Sequence, residues 1–332
     1  MVDTARSPAF LLGTLQPSQP EPPFQTTWLA QSARDAITTF SQLGVAADSY
    51  QFSASPFVIV GGVPNPSRTL TAAVSNTVRF PTPGGDLVPQ GVNGSDVGHY
   101  VYISGGSGTA EAVLITGGTA VAGGTGTLTF TPANNHSGAW VMTSGTGGIT
   151  EALTAVPFAP VLLKATVYEV YGPITVPIQS PGIFGLGSLN SILRVNYLAG
   201  NVIVLAAANF QDVTLSGFCI QPFAGTMTSG SAISSANSVF TLRIHDLSVG
   251  SPGRHVFAGI ILTSTNNSRV FISDTIVYAV HQGIDMQSYF SLQNVQVLSD
   301  RTLANYQAGS FALNIHRAVG GMRASILGVV SV

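Results

Sequence analysis

The sequence predicts an all-β protein organised around a parallel β-helix, and three observations predict it. One short pattern recurs five times after Gly200: Val213-Thr-Leu215-Ser-Gly217, Leu242-Arg-Ile244-His-Asp246, Val270-Phe-Ile272-Ser-Asp274, Phe290-Ser-Leu292-Gln-Asn294 and, more loosely, Ala324-Ser-Ile326-Leu-Gly328. Each copy alternates apolar and other residues with a period of two and then meets a turn residue. That puts Val213, Leu215 and their equivalents on one face and leaves Gly217, Asp246, Asp274, Asn294 and Gly328 at a bend. The third observation is composition: 37 Gly, 8% charged residues and a mean hydropathy of +0.37 suit a rigid β-architecture with a large core.

The repeat is a coil and not a tandem copy. Steps of 29, 28, 20 and 34 residues separate Val213, Leu242, Val270, Phe290 and Ala324. A second short apolar strand precedes each pattern, in Val202–Val204, Ala232–Ile233, Gly259–Leu262, Gly283–Met286 and Phe311–Leu313. Coils stacked about 4.7–4.9 Å apart would line up inward residues as aliphatic columns. Asn209, Asn237 and Asn267 stand at comparable distances before the second strand, where stacked amides would form a ladder.

In chain order, residues 1–45 read as an N-terminal anchoring arm and helix. Leu11 and Leu12 precede a proline-rich run, Gln16 to Pro23, that favours an extended path. Thr26 and Thr27 then cap a helix beginning at Trp28, on which Leu29, Ala33, Ile37, Phe40 and Leu43 make one apolar face. With no neighbouring domain to cover that face, Leu11, Leu12, Trp28, Leu29, Ile37 and Phe40 are the expected anchoring residues.

Residues 46–145 read as a small all-β domain, a sandwich or barrel. Its β-prone runs are Phe57–Val60, Thr77–Phe80, Tyr100–Ile103, Ala110–Ile115, Thr127–Phe130 and Trp140–Met142, broken by Gly, Pro and Asn clusters. Gly117–Gly124 lacks the Lys-Ser/Thr of a phosphate loop and is expected to be a hairpin loop.

Residues 146–332 carry the β-helix. Thr146-Gly-Gly-Ile-Thr-Glu-Ala-Leu153 predicts a short helix over the first coil, which would otherwise expose core and strand edges. At the other end, Ala324–Val332 is an apolar strand whose coil calls for cover by another copy, another protein or its own loops.

Gly147-Gly-Ile-Thr-Glu-Ala-Leu153, Ile174-Thr-Val-Pro-Ile178, Ser180-Pro-Gly-Ile-Phe-Gly-Leu-Gly-Ser188 and Ile192-Leu-Arg-Val195 resemble the opening of the pectate-lyase-like superfamily of right-handed parallel β-helices. Within that superfamily an anchoring segment ahead of a β-helix is similar to bacteriophage tailspikes and tail fibres. Thr4-Ala-Arg-Ser-Pro8 and His136-Ser-Gly-Ala-Trp140 are similar in style to such virion proteins. The resemblance implies a homotrimer, a virion location after assembly in the host cytoplasm, and a role in host attachment.

Residues with chemical potential are few. A polysaccharide hydrolase needs two carboxyl groups about 5–5.5 or 6.5–9.5 Å apart. Asp246 and Asp274 share the corner column and could form such a pair, although a turn requirement alone would place Asp or Gly there. Asp285 alternates with Ile284 and Met286, so it is expected to face outward, beside Asp300 or His281. A lyase would need clustered carboxylates for Ca²⁺ near a basic residue; Arg243, Arg269 and Arg323 are present but the cluster is not. The histidines lack metal-binding spacing, so no metal and no cofactor are expected. Tyr278, Tyr289 and Tyr306 are candidate glycan contacts.

A net charge of −2 gives no electrostatic case for nucleic acid, and no run reaches the ~18 apolar residues of a membrane-spanning helix. The start lacks a signal-peptide pattern, and the one cysteine, Cys219, rules out an intrachain disulfide. Charged residues at 8%, against about 25% in ordinary soluble proteins, imply burial against other protein. The sequence therefore reads as a structural virion protein, a tail fibre, tailspike or head fibre. Residues 1–45 would hold it to capsid, portal or tail proteins while the β-helix met host-surface glycan. A polysaccharide depolymerase and a purely structural decoration are the alternatives.

Overall fold

The computed structural model describes residues 45–46, 69–81, 97–122, 125–155, 160–177, 179–205, 210–235, 239–263, 269–287, 289–298, 311–315, 324–327 and 330–331. The expected anchoring residues Leu11, Leu12, Trp28, Leu29, Ile37 and Phe40 lie outside them, as do Asn209, Asn237, Asn267 and the expected strand at Phe57–Val60. The first described strand, β1 (Val45–Ala46), pairs in parallel with the first coil, Val45 opposite Val161. These two residues thus extend the β-helix sheet, although the sequence set them at the border of arm and small domain.

The small domain is one antiparallel sheet. Strands β2 (Asn76–Pro81), β3 (Tyr100–Ser107), β4 (Glu111–Ala122), β5 (Thr125–Phe130) and β6 (Ser137–Ser144) lie in the order β2-β5-β4-β3-β6. A bridge between Leu70 and His136 ties together the chain entering its two margins. Alternation sends Val101, Ile103, Val113, Ile115, Leu128 and Phe130 into one core, closed by Leu70, Trp140 and Met142. The glycine-rich run is part of a β4–β5 hairpin, but Gly117 and Gly118 are in the strand, opposite Thr129 and Leu128, with bulges on either side. Strand β4 runs on to Ala122 and β5 starts at Thr125.

His99 is buried at the entry to β3, and burial pushes its imidazole down from 6.5 to about 4. The folded value is the lower one, so between these two values the unfolded chain binds more protons and stability falls as pH falls. Across that window His99 contributes on the order of 3 kcal/mol. Urea titrations at pH 7 and pH 4.5 are expected to show the loss, and His99→Gln is expected to flatten it.

The chain leaves β6 through a turn that sets up a helix. Ser144 Oγ accepts from Gly148 N at 2.8 Å and Thr146 Oγ1 from Thr150 N at 3.2 Å, while Gly147 and Gly148 adopt φ of 62° and 81°. Helix α1 (Ile149–Ala155) then buries Ile149, Ala152 and Leu153 completely against the first coil, as the exposed end of a β-helix requires.

Three strands make each coil. The successive coils are β7 (Val161–Leu162), β8 (Val167–Val170) and β9 (Ile174–Val176); β10 (Gly182–Phe184), β11 (Ile192–Val195) and β12 (Ile203–Leu205); β13 (Phe210–Ser216), β14 (Cys219–Pro222) and β15 (Ser231–Ser235); and β16 (Val239–His245), β17 (Ser248–Val249) and β18 (Val256–Leu262). The long β19 (Arg269–Met286) crosses all three faces by itself. After it come β20 (Tyr289–Leu298), β21 (Phe311–Ile315), β22 (Ala324–Leu327) and β23 (Val330–Ser331). Every pairing between coils is parallel.

The register is the one the repeat predicts: Val213, Leu242, Val270, Phe290 and Ala324 stand opposite one another. Ile174, Ile203, Ile233, Ile260 and Ile284 form a fully buried isoleucine column on the third face. Each such side chain contributes about 1.5–3 kcal/mol by leaving water. The repeat after Gly200 showed two of the three faces; on the remaining one, Tyr168–Tyr171 and Ser191–Val195 read as strands of the first coils, and β17 was not visible.

The bend after the repeat is a left-handed corner. Gly217, Asp246, Asp274 and Asn294 take φ of 71°, 53°, 47° and 51°. Asp and Asn tolerate this region because their short polar side chains bond locally, and Asn294 Nδ2 donates to Asp274 Oδ1 on the preceding coil at 2.8 Å. A β-branched residue has no such relief. Asp274→Val is expected to cost about 2 kcal/mol and Asp274→Gly less than 1, measured by chemical denaturation.

Candidate functional site

The small domain and the β-helix are spliced through Gly145, whose N–H donates to Tyr100 O at 2.8 Å and whose carbonyl accepts from Tyr171 N at 2.7 Å. Gly172 follows with no side chain because the Tyr100 ring occupies that space; a Cβ there would lie 2.4 Å from the ring. Alternation in β3 buries Val101 and Ile103 and turns Tyr102 the other way, towards the first coil. Its ring stacks on that of Tyr171 with centroids 3.7 Å apart and planes 11° from parallel. Beside this stack opens a cleft of about 610 Å³, a size usual for ligand sites.

The β-helix supplies the polar side of the cleft by register. Tyr168 and Val170 point into the core, so Glu169 points out; Leu193 and Val195 point in, so Arg194 points out. Glu169 and Arg194 are directly opposed on adjacent coils. Arg194 grips the carboxylate with two N–H groups, Nε to Oε2 at 3.0 Å and Nη2 to Oε1. Asn196 Nδ2 adds a bond to Oε2 at 2.7 Å, and the guanidinium lies 5.1 Å from the centre of the Phe223 ring. About a third of each partner's side chain remains exposed, so the pair contributes little stability; its effect is to fix geometry.

The small domain contributes Glu111. Its Oε2 accepts from Ala133 N at 2.7 Å, and its Oε1 from Asn134 N at 2.8 Å and from His136 Nε2 at 2.8 Å. Partial burial pushes the Glu111 carboxyl up, but the bonds from His136 and from the two amides outweigh it and hold the group below the ordinary 4.5. For Glu169, partial burial again acts upward and is outweighed by the bonds from Arg194 and Asn196 and by the guanidinium charge. Burial, reinforced by Tyr102 and the Glu169 charge, pushes the Tyr171 phenol up to about 12. At neutral pH the cleft therefore presents two carboxylates, one committed guanidinium and protonated phenol.

The residues singled out in the sequence fall elsewhere. Asp246 and Asp274 do meet on adjacent coils, in the exposed left-handed corner, with Asp246 Oδ2 2.9 Å from His245 Nδ1. Asp285 sits on the outer side of the third face between inward Ile284 and Met286, yet it is 7% exposed and lies 3.5 Å from Asn314 Nδ2. Tyr278 packs edge-on against His255, centroids 5.6 Å apart. Tyr289 opens β20 opposite Arg269, while Tyr306 and Asp300 are outside the described residues. None of the described ones among these lines the cleft.

The cleft residues Tyr102, Glu169, Arg194, Asn196 and Phe223 were read in the sequence, where noted at all, as parts of strands or turns. One signal could have found two of them: Tyr168-Glu-Val170 and Leu193-Arg-Val195 are both apolar-charged-apolar triplets, 25 residues apart. Among the described residues no group of three or more His, Cys, Asp or Glu side chains is placed to hold a metal ion. Among them, too, no helix is long and apolar enough to cross a membrane. Comparison with protein-family profiles, curated proteins and solved structures finds no match to this chain.

Proposed function

We propose that this chain is a structural protein of a bacteriophage virion, a tail fibre, tailspike or head fibre, that adheres to host-surface glycan through the junction cleft. In this reading residues 1–45 attach it to capsid, portal or tail proteins, and three copies assemble side by side. The parallel β-helix fits such an appendage, because stacked coils give a stiff rod held by backbone bonds. Low charge and the exposed side chains of Leu186, Leu189 and Phe271 support further contact between proteins.

The observation that carries the adhesive part is the cleft itself. Aromatic faces beside ionised carboxylates and a planar amide suit the apolar faces and hydroxyl edges of sugar rings. Its two carboxylates are both held ionised, which supports binding over hydrolysis, since a glycosidase needs one carboxyl that keeps its proton. The depolymerase alternative rests instead on Asp246, Asp274 and Asp285.

Two experiments test the reading. Full-length protein and a variant lacking residues 1–45 are compared for native mass and for binding to particles stripped of this protein. Trimers of both, with particle binding by the full form alone, are expected; monomers that do not bind defeat the appendage model. Incubation with host capsule or lipopolysaccharide is expected to release no new reducing ends. Release that disappears in Asp246→Asn, Asp274→Asn or Asp285→Asn would establish the enzyme.

A further inference from the structure

We infer that the junction cleft takes an uncharged, hydroxyl-rich ring, a neutral hexose unit, and discriminates against uronic, sialic and sulfated sugars. This deepens the adhesive reading above and rests on it. The first argument is charge. Among the described residues the cleft lining carries the carboxylates of Glu111 and Glu169 against the single guanidinium of Arg194, a formal excess of one negative charge. In a partly enclosed cleft that field repels an anionic sugar.

The second argument is the state of the donors. An anion site needs a cation whose charge is uncommitted, and here the one guanidinium among the described lining residues is already paired with a carboxylate. Arg194 spends Nε and Nη2 on Glu169, and Asn196 Nδ2 donates to Glu169 and to the Arg194 carbonyl at 3.1 Å. Beside the remaining guanidinium N–H groups, which suit a neutral hydroxyl oxygen, stand carboxylate acceptors. Glu169 Oε2 takes two bonds but Oε1 takes one, whereas Glu111 is held by the amides of Ala133 and Asn134, by His136 and by the Asn134 side chain. With two acceptor positions on each carboxylate oxygen, Glu169 Oε1 keeps one for an incoming hydroxyl.

The third argument is the apolar wall. Phe223 is 49% exposed, with the Arg194 guanidinium beside its ring, and thus offers open aromatic surface next to those acceptors. Such a surface packs against the C–H face of a pyranose, whose hydroxyls then point sideways to the carboxylates. A carboxylated or sulfated ring would bring its charge to the same acceptors.

Calorimetric titration of the full-length protein tests this with two probe sets. The neutral set is maltoheptaose, cellohexaose, mannohexaose and a galactan; the acidic set is hyaluronan, polygalacturonate and polysialic acid. At least one neutral probe is expected to bind with every acidic probe at least tenfold weaker. Phe223→Ala, which removes an exposed ring and leaves the core untouched, is expected to weaken the neutral probe about tenfold. Glu169→Gln serves as the second variant and is expected to weaken it as well, with thermal melts confirming that both variants fold. Acidic probes bound as tightly as neutral ones, or neutral binding unchanged by both variants, overturns the inference and leaves adhesion standing. Silence from both probe sets overturns the adhesive reading together with it.

Discussion

Gly182→Ala is expected to destabilise the protein by about 3–5 kcal/mol, among the largest effects of any single methyl group in this fold. Gly182 pairs with Thr214 on the next coil at φ of 124°, a conformation closed to residues with a side chain. A Cβ built there lies 1.8 Å from the Thr214 carbonyl oxygen and 2.7 and 2.8 Å from that residue's backbone carbon and nitrogen. Backbone strain and steric overlap therefore add, and the obstacle is a hydrogen-bonded strand that cannot step aside without opening the gap between coils. Gly225→Ala separates the two contributions. Gly225 has φ of 87° but nothing within 4 Å of its Cβ position, so only the strain, about 1–2 kcal/mol, is expected. Equal denaturation midpoints for the two variants would show that coil spacing yields where the geometry says it is fixed.

Tyr168→Ala is expected to cost about 3–5 kcal/mol and, under the proposed adhesive function, to weaken glycan binding as well. Tyr168 is among the largest completely buried side chains, in the cluster that joins α1 to the first coil, and its hydroxyl accepts from Lys164 N at 2.8 Å. Truncation opens a cavity under the cap and leaves that amide unpaired. The neighbouring Glu169 is held on the opposite side of the same strand, so loosening β8 displaces the carboxylate that Arg194 and Asn196 grip. Tyr168→Phe keeps the packing and removes only the hydroxyl, for about 1 kcal/mol and unchanged binding. Denaturation and calorimetry on the two variants read stability and binding separately.

Much of the β-helix could be read in the sequence because its controlling features are local. The apolar-x-apolar-x-turn unit fixes both the inward column and the left-handed corner, so the alignment of Val213, Leu242, Val270, Phe290 and Ala324 carries over unchanged into the paired strands. The capping helix was legible for a similar reason, since Ser144, Thr146 and two glycines announce it within a few residues. In the later coils the second face escaped because Asp246 and Asp274 look like terminators, whereas the chain bends there and resumes as a strand at once, for only two residues in Ser248–Val249. The turn role weighed for Asp246 and Asp274 in the sequence corresponds to their left-handed backbone conformation.

The cleft was not legible for a different reason. Glu169 and Arg194 become partners only when the register between two coils is known, and that depends on the length of every corner between them. Tyr102 comes from the other domain altogether, and its stack on Tyr171 depends on how Gly145 and Gly172 splice the two sheets. Periodicity reports which side of a strand a residue occupies; it does not report which other strand lies across the gap.

Because each coil bonds mainly to the one before and the one after, the β-helix behaves as a ruler marked in coils. The distance from the junction cleft to any point further along advances by about 4.8 Å per coil, whether that coil uses the 20 residues between Arg269 and Tyr289 or the 29 between Val213 and Leu242. Residues inserted at a corner widen the rod without lengthening it. Reach and girth are thus set independently, so duplication of a whole coil would move the far end outward while the cleft and the residues that build it stayed as they were.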